Sequence, residues 1–333
     1  MGAMALDGDA GDVKSRLPFP FNEDLSPVLV RLNRRTERGR VHLANDPVTA
    51  AYLAAALRLV ERHLGPRGPD LPGAGGGRGE TPEHSLFGFL SQRSVAAEVD
   101  GNPDPFPRRG SVSTLRASWR TQSDFVADLV SFMLWTGYYP TSYSETLRAG
   151  ADKLADAPDF AAAVHDLAYA IAEHVQAMVS FRIQLAASLG AEQDDAVRAV
   201  LAAKYERGQT IWGSVYGRMI EARGLRLRPG VSLGDLADIL TATVEGCTLR
   251  AIAEGPDTRV MDRANRSGLL SVAALAIVHG SLESKGAEDG RNLADAVNAL
   301  VTAPPGRGGG AAASAPADGT SGGQGKPPVA PFD

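Results

Sequence analysis

Apolar positions recur along this chain with helical spacing, and the breaks between runs fall at Gly, Pro and capping residues. Asp46 followed by Pro47 opens a helix that continues to about Leu64, with Tyr52, Ala55, Ala56, Leu59 and His63 at helical intervals. Gly65 ends it, and residues 65–80 are a Gly/Pro-rich loop. Thr81 and Pro82 begin a short helix carrying Leu86, Phe87 and Leu90. Another short helix follows Ser91, with Val95 and Val99 four apart on its apolar face. Ser111 N-caps a further one that closes around Trp119, and Thr121 with Asp124 forms a variant capping box for a helix to about Thr136. That last helix carries Phe125, Leu129, Phe132 and Met133 on one face. Trp135 to Tyr143 reads as an aromatic corner.

From Ser144 to Gly286 the pattern is helical throughout, with no strand alternation punctuated by turns. Helices are predicted over 144–156, 159–189 and 193–223. The second contains no Gly or Pro and would run roughly 45 Å unbroken. The third holds Gly208, Gly213 and Gly217; the last two, four apart, would let a neighbouring helix come close. Ser232 and Asp235 cap a helix with a seam of Leu233, Ala237, Leu240, Val244, Cys247 and Ala251, in alternating steps of four and three. A helix over Ser267–Glu283 places Leu269, Val272, Ala276 and His279 on one side. A seam alone does not choose its partner, which is either another helix of this chain or a second copy. The predicted fold class is all-α.

Composition and charge refine this picture. Forty-four per cent apolar residues over 333 positions are enough for one large domain or two smaller ones. Cys247 is the single cysteine, so no internal disulfide forms, and together with the lack of a leader pattern and of any 18-residue apolar run this points to a cytoplasmic protein without a membrane span. The net charge of −5 is uneven: residues 26–120 hold 14 basic against 9 acidic side chains, the remainder 20 against 30. A basic reader on an acidic body is compatible with specific DNA binding. Arg31, Arg34, Arg35, Arg38 and Arg40 face only Glu37 in their run, so residues 1–45 read as an extension with a basic arm for phosphates or a minor groove, or as a solvated helix face.

Two short helices followed by a longer one is the order of a helix-turn-helix module, whose second helix lies in the major groove. The stretch Ser-Gln-Arg-Ser-Val-Ala-Ala-Glu-Val, then Gly-Ser-Val-Ser-Thr-Leu-Arg-Ala-Ser-Trp-Arg-Thr-Gln-Ser-Asp-Phe, resembles the TetR-type repressors. Arg93, Val95, Ala96 and Glu98 fall on the first helix of their pattern. Ser111, Thr114, Leu115, Trp119, Thr121, Asp124 and Phe125 fall on the next two. The chain departs from the pattern by extra residues at Gly101–Arg109 in place of the tight turn, by Arg116 where the family often has Tyr, and by Gln122 where it has Lys. Leu227–Ala251 resembles the entry to the dimer helices of actinobacterial members.

The resemblance implies a DNA-binding domain over 46–135 with insertions at 65–83 and 101–109. It also implies a ligand-binding and dimerisation domain over 136–286, a homodimer through 232–254 and 267–284, and a double-stranded DNA operator released by a small-molecule effector. The alternative is a TetR-like helical protein in which the long turn at 101–109 holds the two short helices apart, and which has lost specific DNA binding and serves as a small-molecule or protein-binding module. Ser111, Val112, Ser113, Thr114, Arg116 and Arg120, with Arg93 and Arg35, are the candidate DNA contacts. Helical bundles hold ligands between helices, in apolar walls with a few polar anchors. Tyr138, Tyr139, His165, Tyr169, Met178, Arg182, Trp212, Tyr216 and Met219 are the candidates here, Arg182 being the lone cation of a weakly charged stretch. Each is also an ordinary packing residue. His165 and His174 lie nine apart, no His-Glu-x-x-His or cysteine pair occurs, and no nucleophile elbow or carboxylate pair stands out, so neither a metal, nor a cofactor, nor an enzymatic activity is expected. The Gly/Ala/Pro tail over 304–333 is expected to be disordered.

Overall fold

The capping chemistry of the N-terminal half places its helices where the sequence puts them. In a computed structural model, which describes residues 13–66, 87–135, 141–255, 258–263, 265–286 and 289–302, the first helices are α1 (Glu37–Ala44) and α2 (Pro47–Leu64). The Asp46 side chain accepts from the Val48 amide, and Pro47, which has no amide hydrogen to lose, starts α2. Single 3-10 turns at Gly88–Leu90 and Val99–Gly101 flank α3 (Gln92–Glu98), followed by α4 (Val112–Ser118) and α5 (Gln122–Met133). Ser91, Ser111 and Thr121 each accept a backbone N–H in the first turn of their helix, satisfying a donor that has no partner inside the helix. The expected helix start at Thr81–Pro82 and most of the loop before it lie outside the described residues.

The second half contains α6 (Thr141–Asp156), α7 (Phe160–Ala177), α8 (Val179–Gly190), α9 (Asp195–Ala222), α10 (Leu233–Glu254) and α11 (Leu269–Ser281). The chain up to Leu293 forms one compact unit. A helix α12 (Leu293–Thr302), for which the sequence pattern made no provision, lies almost wholly in a second unit that begins at Ala294. Among the described residues no helix is long and apolar enough to cross a membrane.

Three expectations for this half are corrected. The single helix over 159–189 is two, because Met178 is extended (φ −72°, ψ 122°). The reason is a division of labour: Val164, Leu167 and Ile171 of α7 bury in a core shared with α9 and α10, whereas Ile183 and Ala187 of α8 bury in the core of the N-terminal helices. One straight rod would not serve both. Nor is the region purely helical. Leu225–Leu227 (β1) pairs antiparallel with Leu282–Ser284 (β4), and Met261–Asp262 (β2) with Ser267–Gly268 (β3). These ladders are too short to show as alternation. Glu283 in β4 is buried and paired with Arg226 at 2.9 Å and Arg228 at 3.0 Å, which ties the end of α11 to the chain leaving α9. The close approach expected at Gly213 and Gly217 is also absent, since a Cβ there would meet Leu233 only at ordinary contact distances of 4.0 and 3.5 Å.

The segment before α2 is not a detached arm. Leu17, Phe21, Leu25, Leu29 and Leu32 are buried in the same core as Tyr52, Trp119, Phe125 and Phe132. Residues 13–45 are therefore part of the body, and the expectation of an N-terminal extension is corrected for them. The reason is the apolar spacing of those five residues, which the run of arginines masks in a charge count.

Candidate functional site

α4 is held at both ends and along one side, leaving the other side to solvent. Its start is fixed by Tyr52 on α2, whose hydroxyl donates to the Ser111 carbonyl and accepts from the Ser111 amide, both at 2.9 Å. Its end is fixed by the preceding segment: the Asn33 amide donates to the Ser118 carbonyl at 2.8 Å, and Arg34 donates to the Ala117 carbonyl at 3.0 Å. These are the carbonyls a helix C-terminus leaves open, and a cation there also opposes the helix dipole. Leu115 and Trp119 are fully buried. Ser113, Thr114, Arg116, Ala117 and Arg120 are exposed.

Beneath this helix lies a buried carboxylate. Asp128 of α5 accepts from the backbone amides of Val30 and Arg31 and from the Trp119 indole at 2.8 Å. It joins the N-terminal segment, the end of α4 and α5 at one point. Burial pushes its carboxyl up to about 7, against the donated hydrogen bonds, which favour the anion. The sequence pattern assigned Asp128 no role. The available signal was a carboxylate inside the apolar run Phe125-Val126-Ala127-Asp128-Leu129-Val130.

The insertion at 101–109 folds onto the body instead of prising α3 from α4. Asn102 is buried, donating to the Ala51 and Pro107 carbonyls and accepting from Arg58. Phe106 meets Phe21 edge-on at 4.9 Å. Gly110 brings the chain back so closely that a Cβ would sit 2.7 Å from the Ala96 carbonyl oxygen. Arg116 then donates to the Gln92 side chain across the two short helices at 2.8 Å.

The candidate DNA contacts fall into three groups. Ser113, Thr114, Arg116 and Arg120 share the exposed side of α4 and its exit, and Arg116 and Arg120 line an open groove with Gln92 and Thr121. Arg93 and Arg35 are exposed on neighbouring segments, outside that groove, and neither forms an ion pair among the described residues. Two assignments are corrected. Val112 is half-buried and packs on the core, because it lies on the same side as Leu115. The Ser111 hydroxyl is occupied by the cap and by Ser113 and Thr114 at 2.9 and 2.8 Å, so it serves the helix start before any phosphate.

A second site lies between α7, α9 and α10. One cavity of about 60 Å³ is walled by apolar side chains, among them Phe160, Leu167, Met219 and Val278. A neighbouring one of about 150 Å³ includes Met178, Phe181, Trp212 and a polar end. Ile171, Tyr216, Leu240 and Val244 line both, so the two lie side by side along a shared wall and together make up one cleft region. At the polar end Glu245 pairs with Lys204 at 2.7 Å and accepts from Gln184 at 2.7 Å and Tyr205 at 3.2 Å. Burial, and then the Glu245 carboxylate, raise the Tyr205 phenol above its ordinary value. Burial alone raises Tyr216 strongly.

Among known proteins, no family model, no curated protein and no solved structure matches the chain, so its sites rest on their own geometry.

Of the predicted ligand residues, Met178, Trp212, Tyr216 and Met219 line the cleft. Tyr138 and Tyr139 lie outside the described residues. Three candidates are corrected. His165 is half-buried on α7 and lines neither cavity. Tyr169 faces the other side of α7, where it packs with Cys247 and Val260 beneath the Arg266 guanidinium at 4.6 Å. Arg182 follows the bend at Met178 and points its guanidinium at the Gln176 carbonyl, 3.4 Å away, and burial lowers its pKa. Arg182 lies just after the break that the sequence did not announce, and it is in the lining of neither cavity. Gln184, Lys204, Tyr205 and Glu245 were missed because they come from three helices and only the fold assembles them.

The seam of α10 is an internal one. Ala237, Leu240, Cys247 and Ala251 are buried within the chain and Leu240 and Val244 line the cleft, so the expectation that this seam pairs with a second copy is corrected. The opposite side carries Ile239, Ala242, Gly246, Leu249 and Ala253, again in steps of three and four, and all are exposed. Adjacent to it, Leu269, Val272, Ala276 and His279 of α11 are exposed as well. Val272 is 59% and Leu249 49% accessible, high for apolar side chains on two packed helices.

Proposed function

We propose that the chain is a TetR-like transcriptional regulator, a homodimer that binds double-stranded DNA through α4 and releases it when a small molecule fills the cleft between α7, α9 and α10. The observation that carries the reading is α4 itself. A seven-residue helix is capped at both ends, buried along Leu115 and Trp119, and offers Ser113, Thr114 and Arg116 to solvent with Arg120 beside them. Arginine donates to the O6 and N7 of guanine or to phosphate, and hydroxyls donate to phosphate or base edges. The resemblance over residues 91–125 supports taking this helix as the one that would enter the groove. The packed insertion supports it, because α3 and α4 stay in contact.

Pairing would come from the exposed stripes of α10 and α11, which cover each other's equivalents across a two-fold axis in an isologous interface. Two copies of α4 then face successive major grooves about 34–36 Å apart. The effector acts by binding one of two arrangements of the pair more tightly than the other, and its differential affinity is the whole of its leverage. The cleft meets the N-terminal core through α8 and α9, which give Ile183, Ala187, Val197 and Leu201 to it.

Selection from a random duplex pool tests the reading. Bound sequences should converge on two inverted half-sites about one helical turn apart, and binding should weaken steeply with salt as phosphate counterions are released. Failure of the pool to converge, with only weak salt-sensitive retention, refutes a specific reader.

A further inference from the structure

The cleft has one apolar end and one charged end, and the two ends specify a ligand. The apolar end is walled in part by Phe160, Leu167, Met219 and Val278, with no charged side chain in its lining. Ile171, Tyr216, Leu240 and Val244 are the wall that the two ends share. At the other end three charged residues line the wall, Lys204, Asp238 and Glu245, two carboxylates against one ammonium. The ammonium is already engaged, 2.7 Å from Glu245 and 4.3 Å from the centre of the Tyr205 ring. Trp212 and Tyr216 stack at 5.6 Å on the same wall, and neither the indole N–H nor the phenol hydroxyl has a partner among the described residues.

We infer that this cleft binds a lipophilic cation: an amphipathic molecule with an apolar body for the Phe160–Val278 end and a positively charged head for the end formed by Asp238, Glu245, Trp212 and Tyr205. A cationic head gains from the excess carboxylate and from aromatic faces, which attract cations through their quadrupole. An anionic head would meet Asp238 uncompensated and compete with Glu245 for Lys204. An uncharged head leaves both attractions unused. The inference rests on the cleft being the effector site of the proposed regulator, and it is read by direct binding, so it stands or falls apart from DNA recognition.

Calorimetry on the full chain with three probes of equal tail tests it: decyltrimethylammonium, decanol and decanoate, each below its aggregation concentration and at one ionic strength. The expected order is the ammonium first, then decanol, then decanoate, with at least about a tenfold gap between the first and the last. Lengthening the ammonium's tail should tighten binding by up to roughly fourfold per methylene until the apolar end is full. Glu245→Gln should cost the ammonium about tenfold and leave decanol unchanged. Asp238→Asn alters an exposed side chain away from the packed cores, and it should narrow the ammonium–decanoate gap even if Glu245→Gln loosens the fold. Equal affinity for the three heads, preference for decanoate, absence of binding, or insensitivity to both substitutions overturns the inference. Tight ammonium binding that leaves DNA affinity unchanged sustains it while removing the regulatory coupling proposed above.

Discussion

Asp128 shows how much of the geometry around α4 passes through one side chain. Its carboxyl takes hydrogen bonds from Val30, Arg31 and Trp119, and removing it leaves the buried Trp119 indole N–H and two part-buried backbone amides without that partner. An unmet buried donor costs about 1–3 kcal/mol, and water can reach the two amides, so Asp128→Ala should destabilise the protein by about 1–3 kcal/mol in urea denaturation. The pH dependence has a definite sign. Its folded-state pKa, about 7, lies above the carboxylate's ordinary value of 3.8, so the native state holds the proton more tightly than the unfolded chain. The contribution is fully present below pH 4 and is lost as pH rises through 7, a decline on the order of 4 kcal/mol. The stability difference between wild type and Asp128→Asn should therefore shrink between pH 4 and pH 8. A constant difference would show that burial does not hold Asp128 protonated.

At the scale of elements, the local signals were legible and the long-range ones were not. Asp46, Ser111, Thr121 and Ser232 were readable as caps because a cap needs only its own first turn. The capping box of Ser232 and Asp235 is complete in both directions. The break at Met178 was unreadable, since no Gly or Pro marks it and its cause is that α7 and α8 serve different cores. The seam of α10 was read correctly as a seam and given the wrong partner, because a 3.5-residue period is the same whether the facing helix is a neighbour or a copy. The polar end of the cleft depends on Gln184, Lys204 and Glu245 meeting across three helices, which spacing within any one of them does not encode. The Tyr52–Ser111 link belongs to the same class and has a measurable consequence. Tyr52→Phe keeps the ring in the core and removes the two hydrogen bonds that fix the start of α4, at a cost of about 1–3 kcal/mol. DNA affinity should fall beyond what that loss of folded protein accounts for, because α4 is left pinned only at its end. Unchanged affinity of the folded fraction would mean that the start of α4 needs no anchor.

At the scale of the whole molecule, the proposed operator binding needs two copies of α4 on one particle. The exposed stripes of α10 and α11 are the surface available for pairing, with Ile239, Leu249 and Val272 each close to half accessible or more. Sedimentation equilibrium should give twice the chain mass of 34.9 kDa. Leu249→Glu with Val272→Glu should give the single chain without lowering the melting temperature of the isolated fold by more than a surface substitution does, since both side chains face outward. A monomeric wild type, or a doubly substituted dimer, would move the pairing surface elsewhere or abolish it.

The most direct measurement is the ratio of affinities for the selected duplex and for a scrambled duplex of the same length and salt, taken for wild type and for Arg116→Ala. Arg116 is exposed, lies in no core, and donates only to Gln92 among the described residues, so its loss leaves the fold intact. A bidentate contact to guanine is worth about 1–3 kcal/mol of discrimination, so the ratio should collapse by roughly five- to a hundredfold while scrambled DNA binds almost as before. Equal ratios for the two proteins, or a wild-type ratio near one, would contradict a reading helix at Val112–Ser118.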